Sequence, residues 1–207
     1  MATSDEPVLP TKALHKFLSS LASRQAPVLL DLGPAVGSNL TFFGEQLGCK
    51  IFIEDLFRDL DHHVQQGRLD ALPGFCLTRF PQADRSIDGI LCWDIFDYLD
   101  RSAAVVLARE LTRLLNVDGV LLGFFATVVA SGTRYTKFVI EDETNLRQRP
   151  YQGARSKQQV LLNRDIIRLF EGLRVSESFL LKTNVREILF RKPALGEKGE
   201  PGRAKRS

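Results

Sequence analysis

Val28-Leu-Leu-Asp31-Leu-Gly33-Pro-Ala35-Val-Gly37-Ser38-Asn39 passes from an apolar block through an acid into a glycine turn. The block reads as a buried strand over residues 28–32, and a helix is expected to start at Ser38 or Asn39. Glycines at such a junction let backbone amides approach a ligand closely, and a helix N-terminus adds partial positive charge. In open α/β sheets, nucleotide-like ligands bind at these strand–turn–helix junctions.

Outward from this junction the chain alternates. Leu14, Phe17, Leu18 and Leu21 recur at helical spacing and Pro27 closes the segment, which predicts a leading helix over residues 11–23. Residues 39–47 read as a helix ending at Gly48, and 50–53 as a strand that finishes at Glu54-Asp55. A helix over 57–67 closes at Gly67. The short apolar patch Phe75-Cys76-Leu77 is a candidate third strand, and 87–93 is the next. Ser102 is placed to cap a helix whose Val106, Leu111, Leu114 and Leu115 share a face, with Asp118-Gly119 as its stop. Residues 120–125 are continuously apolar, as a strand covered on both faces should be. Asn163 is expected to cap a helix running to Phe170. Strands over 174–183 and 185–191 meet at Thr183-Asn184, too close for a crossover, so they must run antiparallel. The fold class is therefore α/β: a doubly wound, mostly parallel sheet of seven strands, helices on both faces, and a C-terminal antiparallel hairpin.

The chain has 207 residues and 44% apolar content, enough for one full core. No apolar run is long enough to cross a bilayer, and the acidic start lacks the blocks of a signal peptide, so a cytoplasmic protein without membrane contact is expected. Cys49, Cys76 and Cys92 are odd in number and scattered, which fits reduced thiols and gives no metal site. The net charge of +3 is carried by the end of the chain, where residues 191–207 hold six Lys/Arg and two Glu. Without a basic excess over residues 1–190, a general nucleic-acid footprint is not favoured. Three parts follow: a helical extension over 1–24, a catalytic-type domain over 25–192 with a polar substrate-lid insertion at 130–160, and a disordered basic tail over 193–207. Within the insertion, Tyr135, Lys137, Arg147, Arg149 and Tyr151 form a candidate grip for an anionic substrate.

Asp31-Leu-Gly33-Pro-Ala35-Val-Gly37 resembles the first motif of the class I S-adenosylmethionine-dependent methyltransferases, with Ala35 where glycine is frequent. Glu54-Asp55 falls where that family carries a ribose-binding acid. Phe80-Pro-Gln-Ala-Asp84-Arg-Ser-Ile-Asp88-Gly-Ile-Leu-Cys-Trp93-Asp94 is similar to its run into the fourth strand, and Leu115-Asn-Val-Asp118-Gly119 to the turn before the fifth. The resemblance spans roughly residues 25–192. It implies S-adenosylmethionine as cofactor. Glu54, with Asp55 as the alternative, would hold the ribose diol, while Gly33, Ala35 and Gly37 would admit the amino-acid end and Asp31 would hold the turn or the ammonium. Asp94 would sit at the mouth where the methyl group leaves. The family's acid after the third strand has no clear counterpart: one alignment puts Cys76 or Leu77 beside the adenine, another points to Asp70-Ala-Leu-Pro73. His62 and His63 are candidate bases beside Asp94, and Trp93 and Tyr98 candidate pocket walls.

Cys92-Trp93-Asp94-Ile95 stands where amino-group nucleic-acid methyltransferases carry an Asp-Pro-Pro-Tyr type tetrapeptide, and a Pro-Cys nucleophile is missing. The expectation is methyl transfer to a small molecule by direct displacement. A binding or scaffold protein that keeps the fold without catalysis is the alternative. An NAD(P)-dependent oxidoreductase is disfavoured, because Ala35 and Ser38 fall at the second and third glycines of its G-x-G-x-x-G fingerprint.

Overall fold

The computed structural model describes residues 6–128, 132–158 and 160–194. Two sheets organise them. The larger contains six strands: β2 (Val28–Asp31), β3 (Lys50–Ile53), β4 (Ile87–Trp93), β5 (Leu115–Ala126), β8 (Arg174–Leu180) and β9 (Val185–Arg191), in the order β3-β2-β4-β5-β9-β8. The first four are mutually parallel, and β9 pairs antiparallel with both β5 and β8. The smaller sheet joins β1 (Val8–Pro10), β7 (Asn145–Gln152) and β6 (Arg134–Asp142) in the order β1-β7-β6.

The helices cover the larger sheet on both faces. On one side α1 (Leu14–Ala22) buries Leu14, Phe17, Leu18 and Leu21. It approaches so closely that a Cβ on Gly89 of β4 would meet Leu21 Cδ2 at 2.7 Å. Buried Glu187 of β9 accepts the N–H groups of Lys12 and Ala13 at 2.8 and 2.9 Å, satisfying donors that the start of α1 would otherwise leave unpaired. On the other side lie α3 (Leu56–Gln65), α4 (Leu72–Thr78), α5 (Arg101–Leu114) and α6 (Asn163–Leu169), packed over Leu30, Ile90, Leu121 and Ile188. The segment after the glycine turn, α2 (Gly37–Thr41), widens into one π-helical turn over Phe42–Gln46.

Several sequence expectations are corrected. The sheet has six strands, because Phe75-Cys76-Leu77 lies in helix α4. Leu72 and Cys76 bury one helical face, and Pro73 sits in the first turn, where a missing N–H costs nothing. Helix α5 is capped by Asp100, whose Oδ1 accepts from Ala103 N at 2.9 Å; Ser102 instead donates to that carboxylate. Asp118-Gly119 is not the helix stop: α5 ends at Leu114, and β5 runs through a register shift there with Asp118 at φ 58°. Helix α6 has Leu162 at its N-cap and Asn163 inside it. The 130–160 insertion contains the β6–β7 hairpin, and the strand β1 ahead of α1 pairs with it. Most of the 193–207 tail lies outside the described residues. No helix among the described residues is long and apolar enough to cross a membrane.

Candidate functional site at the carboxyl ends of the parallel strands

Strands β2, β3 and β4 end together. Asp31 closes β2, buried, and its Oδ1 accepts the Gly33 N–H at 2.9 Å and the Trp93 indole N–H at 2.6 Å. Burial pushes its carboxyl up to about 6, although both hydrogen bonds oppose the rise. Trp93 ends β4 at φ 49°, an uncommon conformation for a bulky side chain. The bond to Asp31 and a parallel stack on Phe138 (5.1 Å, 5°) hold the indole there. It covers Gly33 so tightly that a Cβ on this glycine would lie 2.7 Å from Trp93 Cδ1. The close backbone approach expected of Gly33 exists, and its occupant is the protein's own indole. Ala35 and Gly37 are exposed, with open space at Gly37.

Beyond β3 the two adjacent acids separate. Glu54 does not line the cleft beside it: its carboxylate pairs at 2.5 Å with Arg79, which does line that cleft, and accepts from Gln82 at 3.3 Å. Asp55 caps α3 through Oδ1, accepting from Arg58 N at 3.1 Å, and lines a cleft of about 760 Å3. Partial burial raises its carboxyl above the ordinary value. The same cleft is bounded by Pro34 of the glycine turn, Ile53, Phe57, His62, Lys137 and Tyr151. His62 is thus on the cleft, whereas His63 turns aside, its Nδ1 2.8 Å from Asp59 O and its ring against Phe75. Leu77 is 58% exposed on α4 and does not line the cleft, so the adenine contact expected of it is withdrawn.

Past β4 lies a second polar cluster. Lys157 reaches Asp97 Oδ2 at 2.7 Å and Asp94 Oδ2 at 3.2 Å, and all three are largely buried. Asp97 also accepts the Ala126 N–H at 3.0 Å. Burial pushes Asp97 up to about 6 and raises Asp94 as well, with Lys157 opposing both. Burial disfavours the lysine's charge, but the two carboxylates outweigh it and hold the ammonium. These groups border a small cavity of about 70 Å3 with Phe124, Phe125, Thr136, Phe138 and Gln148.

The insertion's candidate grip is mostly committed elsewhere. Tyr135 is fully buried and donates to Asp61 at 2.6 Å; Arg147 pairs with Glu141 at 2.7 Å, and Arg149 with Glu6 at 2.6 Å. Lys137 and Tyr151 alone of the five face the cleft, the ammonium 5.2 Å from the ring centroid. Sequence reasoning missed Arg79, Asp61 and Phe138, which neutralise, anchor or cover predicted residues. Each lies at least twenty residues from its partner, and no local pattern announces the pairing.

S-adenosylmethionine fits this geometry at its nucleoside end. The cleft joins the glycine turn to the end of β3, and Asp55 presents a carboxylate to it beside the Tyr151 ring. At the amino-acid end the indole occupies Gly33, so the cofactor fits there only once Trp93 moves.

No family model matches the sequence, and no curated protein does. Solved structures do match in fold. An S-adenosylmethionine-dependent methyltransferase from Clostridium acetobutylicum superposes with TM-score 0.51 at 12% identity, covering 90% of this chain and 93% of that one. The 1,6-didemethyltoxoflavin-N1-methyltransferase of Burkholderia thailandensis, solved with bound 1,6-didemethyltoxoflavin and S-adenosylhomocysteine, gives 0.51 at 13% identity, over 92% of this chain and 80% of that one. A TehB-like S-adenosylmethionine-dependent methyltransferase from Corynebacterium glutamicum gives 0.50 at 14% identity, over 87% of both chains. The chain therefore has the fold of the class I S-adenosylmethionine-dependent methyltransferases.

Proposed function

We propose that this protein binds S-adenosylmethionine and transfers its methyl group to a small molecule. The carrying observation is the cleft that joins Pro34 of the glycine turn to Asp55 at the end of β3, at the carboxyl edge of the parallel strands. The ribose diol would donate to Asp55, and the purine would lie along Ile53 and Tyr151. Glu54 serves the fold through Arg79. When bound, the cofactor's sulfonium supplies an activated methyl group, so the chain's part is to orient the acceptor and exclude water.

Trp93 is the chain's single tryptophan, and in this reading it leaves Gly33 as the cofactor's amino-acid end arrives. Titration with S-adenosylhomocysteine is expected to red-shift its buried emission with a saturable midpoint, and Asp55→Ala is expected to weaken that midpoint about tenfold. Calorimetric silence from the folded protein would reject cofactor binding. A specific observation favours a second reading, a non-catalytic binding protein: Trp93, Arg79 and Lys157 already engage Asp31, Glu54 and Asp94. Calorimetric binding of the nucleoside alone, with Trp93 emission unchanged, would favour it.

A further inference from the structure

Between α5 and α6 lies a groove of about 360 Å3 that shares no lining residue with the cofactor cleft or with the cavity beside Asp94. Arg101 of α5 and Arg164 and Arg168 of α6 line it, and Asp165 is the one acid that does. All three arginines are exposed. Among the described residues Arg101 and Arg168 have no carboxylate partner, and Arg164 reaches Asp165 only at 3.8 Å. Asp100, next to Arg101, is engaged in capping α5. The lining groups therefore carry an uncompensated charge of +2, three arginines against one aspartate. Arg164 and Arg168 stand four residues apart on α6, where like charges repel. A bound anion would relieve that repulsion.

The rest of the lining is apolar. Val105 comes from α5, Leu169 from α6, and Val160 and Leu161 from the chain that leads into α6. Leu161 and Leu169 pack against the core, whereas Val105 is left 39% exposed. Charge and apolar surface in one recess call for a ligand that has both. Guanidinium forks match phosphate oxygens in pairs, and a phosphate monoester carries about −1.5 to −2 at neutral pH, which balances the arginines. A carboxylate balances only half of that charge.

We propose that this groove binds a soluble phosphate monoester with a short apolar body, its phosphate held among the three arginines and its body laid against the apolar side chains. The volume falls in the range of small-molecule sites, so head and body fit in one recess. Because the groove stands apart from the cofactor cleft, its occupancy does not depend on the function proposed above.

The test uses the full chain without cofactor at pH 8 and low salt, where a phosphate monoester is a dianion. Isotope-labelled protein is titrated with n-hexyl phosphate, hexanoate, 1-hexanol and inorganic phosphate while amide resonances are followed. Hexyl phosphate is expected to bind with a dissociation constant on the order of 0.1 mM, a strength open to a ligand of about eleven heavy atoms. Its shifts should centre on Val105, Leu161 and Arg168. Inorganic phosphate and 1-hexanol each lack one half of the ligand and should bind at least about tenfold more weakly, and hexanoate at least about threefold. Arg168→Gln should weaken hexyl phosphate at least about fivefold, while Arg109→Gln, an exposed arginine of α5 outside the groove, should leave it unchanged. Asp165→Asn removes the opposing charge and should tighten binding about threefold, a direction that structural damage would not produce. Absence of hexyl phosphate binding by the folded protein would overturn the proposal. So would equal binding of inorganic phosphate or hexanoate, an unchanged Arg168→Gln, or shifts confined to the cleft around Lys137 or to residues beyond 192. Sedimentation with phosphatidylcholine vesicles that carry phosphatidate is expected to leave the protein in solution. Pelleting that Arg168→Gln abolishes would overturn the soluble ligand and give the groove to a lipid headgroup.

Discussion

Asp31, Gly33 and Trp93 form a closely packed arrangement, and a carboxyl raised to about 6 makes it sensitive to pH. In the unfolded chain the same carboxyl titrates near 3.8, so on acidification the native state takes up this proton first. Its contribution to stability therefore falls as pH rises from about 4 to about 6 and is level above. Asn at position 31 would still accept from Gly33 and Trp93 without the cost of burying a charge. Asp31→Asn is expected to be more stable than the natural protein by roughly 2 kcal/mol at pH 8 and nearly equal to it at pH 4. Urea unfolding at both values checks this, and a gap independent of pH would contradict it. The acid and the glycines of this arrangement are legible in the sequence, since they are neighbours and obey a spacing. The indole is not legible there, because a strand of another crossover brings it across 62 positions.

At the scale of elements, the β6–β7 hairpin supplies Lys137 and Tyr151 to the cleft. The backbone of its outer strand is met along its free edge by a side chain from the helix after the glycine turn: Asn39 donates to Phe138 O at 2.8 Å and accepts from Ile140 N at 2.9 Å. This amide covers the free edge of β6 as a neighbouring strand would. Asn39→Ala leaves a buried donor and a buried acceptor unpaired, an expected loss of about 2–4 kcal/mol. Hydrogen exchange should localise the effect, with the Ile140 amide accelerated far more than amides of β4; uniform acceleration would argue against a local anchor. Why β4 and α1 were readable and this hairpin was not follows from their patterns. Ile87–Trp93 is a doubly covered apolar strand, and Leu14, Phe17, Leu18 and Leu21 repeat at helical spacing, so burial writes the period directly. In Arg134–Asp142, Phe138, Val139 and Ile140 are buried among charged residues, and the alternation of a half-exposed strand is lost. Helix α4 failed for a different reason: seven residues with a proline and a glycine carry too few turns for a period to emerge.

For the molecule as a whole, the sheet places two adjacent acids in unlike roles, and ligand-linked stability separates them. Glu54 lies in an ion network with Arg79, which also pairs with Asp59 at 2.9 Å, so it joins the end of β3 to α3 and α4. Asp55 faces the cleft. A ligand that binds only the folded state raises stability by RT ln(1 + [L]/Kd), about 2.7 kcal/mol at a hundredfold excess over Kd. For a domain of this size that corresponds to a rise in Tm of roughly 5–10 °C. The natural protein is expected to show that rise with S-adenosylhomocysteine. Glu54→Ala should lower the starting Tm by a few degrees yet keep most of the rise, because what it removes is a partly buried structural pair. Asp55→Ala removes the cap of α3 and should lower the starting Tm by a few degrees as well, but it should lose about half the rise at the same ligand concentration. The opposite pattern would return the ribose to Glu54, requiring that carboxylate to leave Arg79 when the ligand binds. The sequence alone left both acids open, since consecutive residues at a strand end share one motif position. Arg79, just past the end of the helix α4 that stands where a third strand was expected, takes Glu54, while Asp55 caps α3.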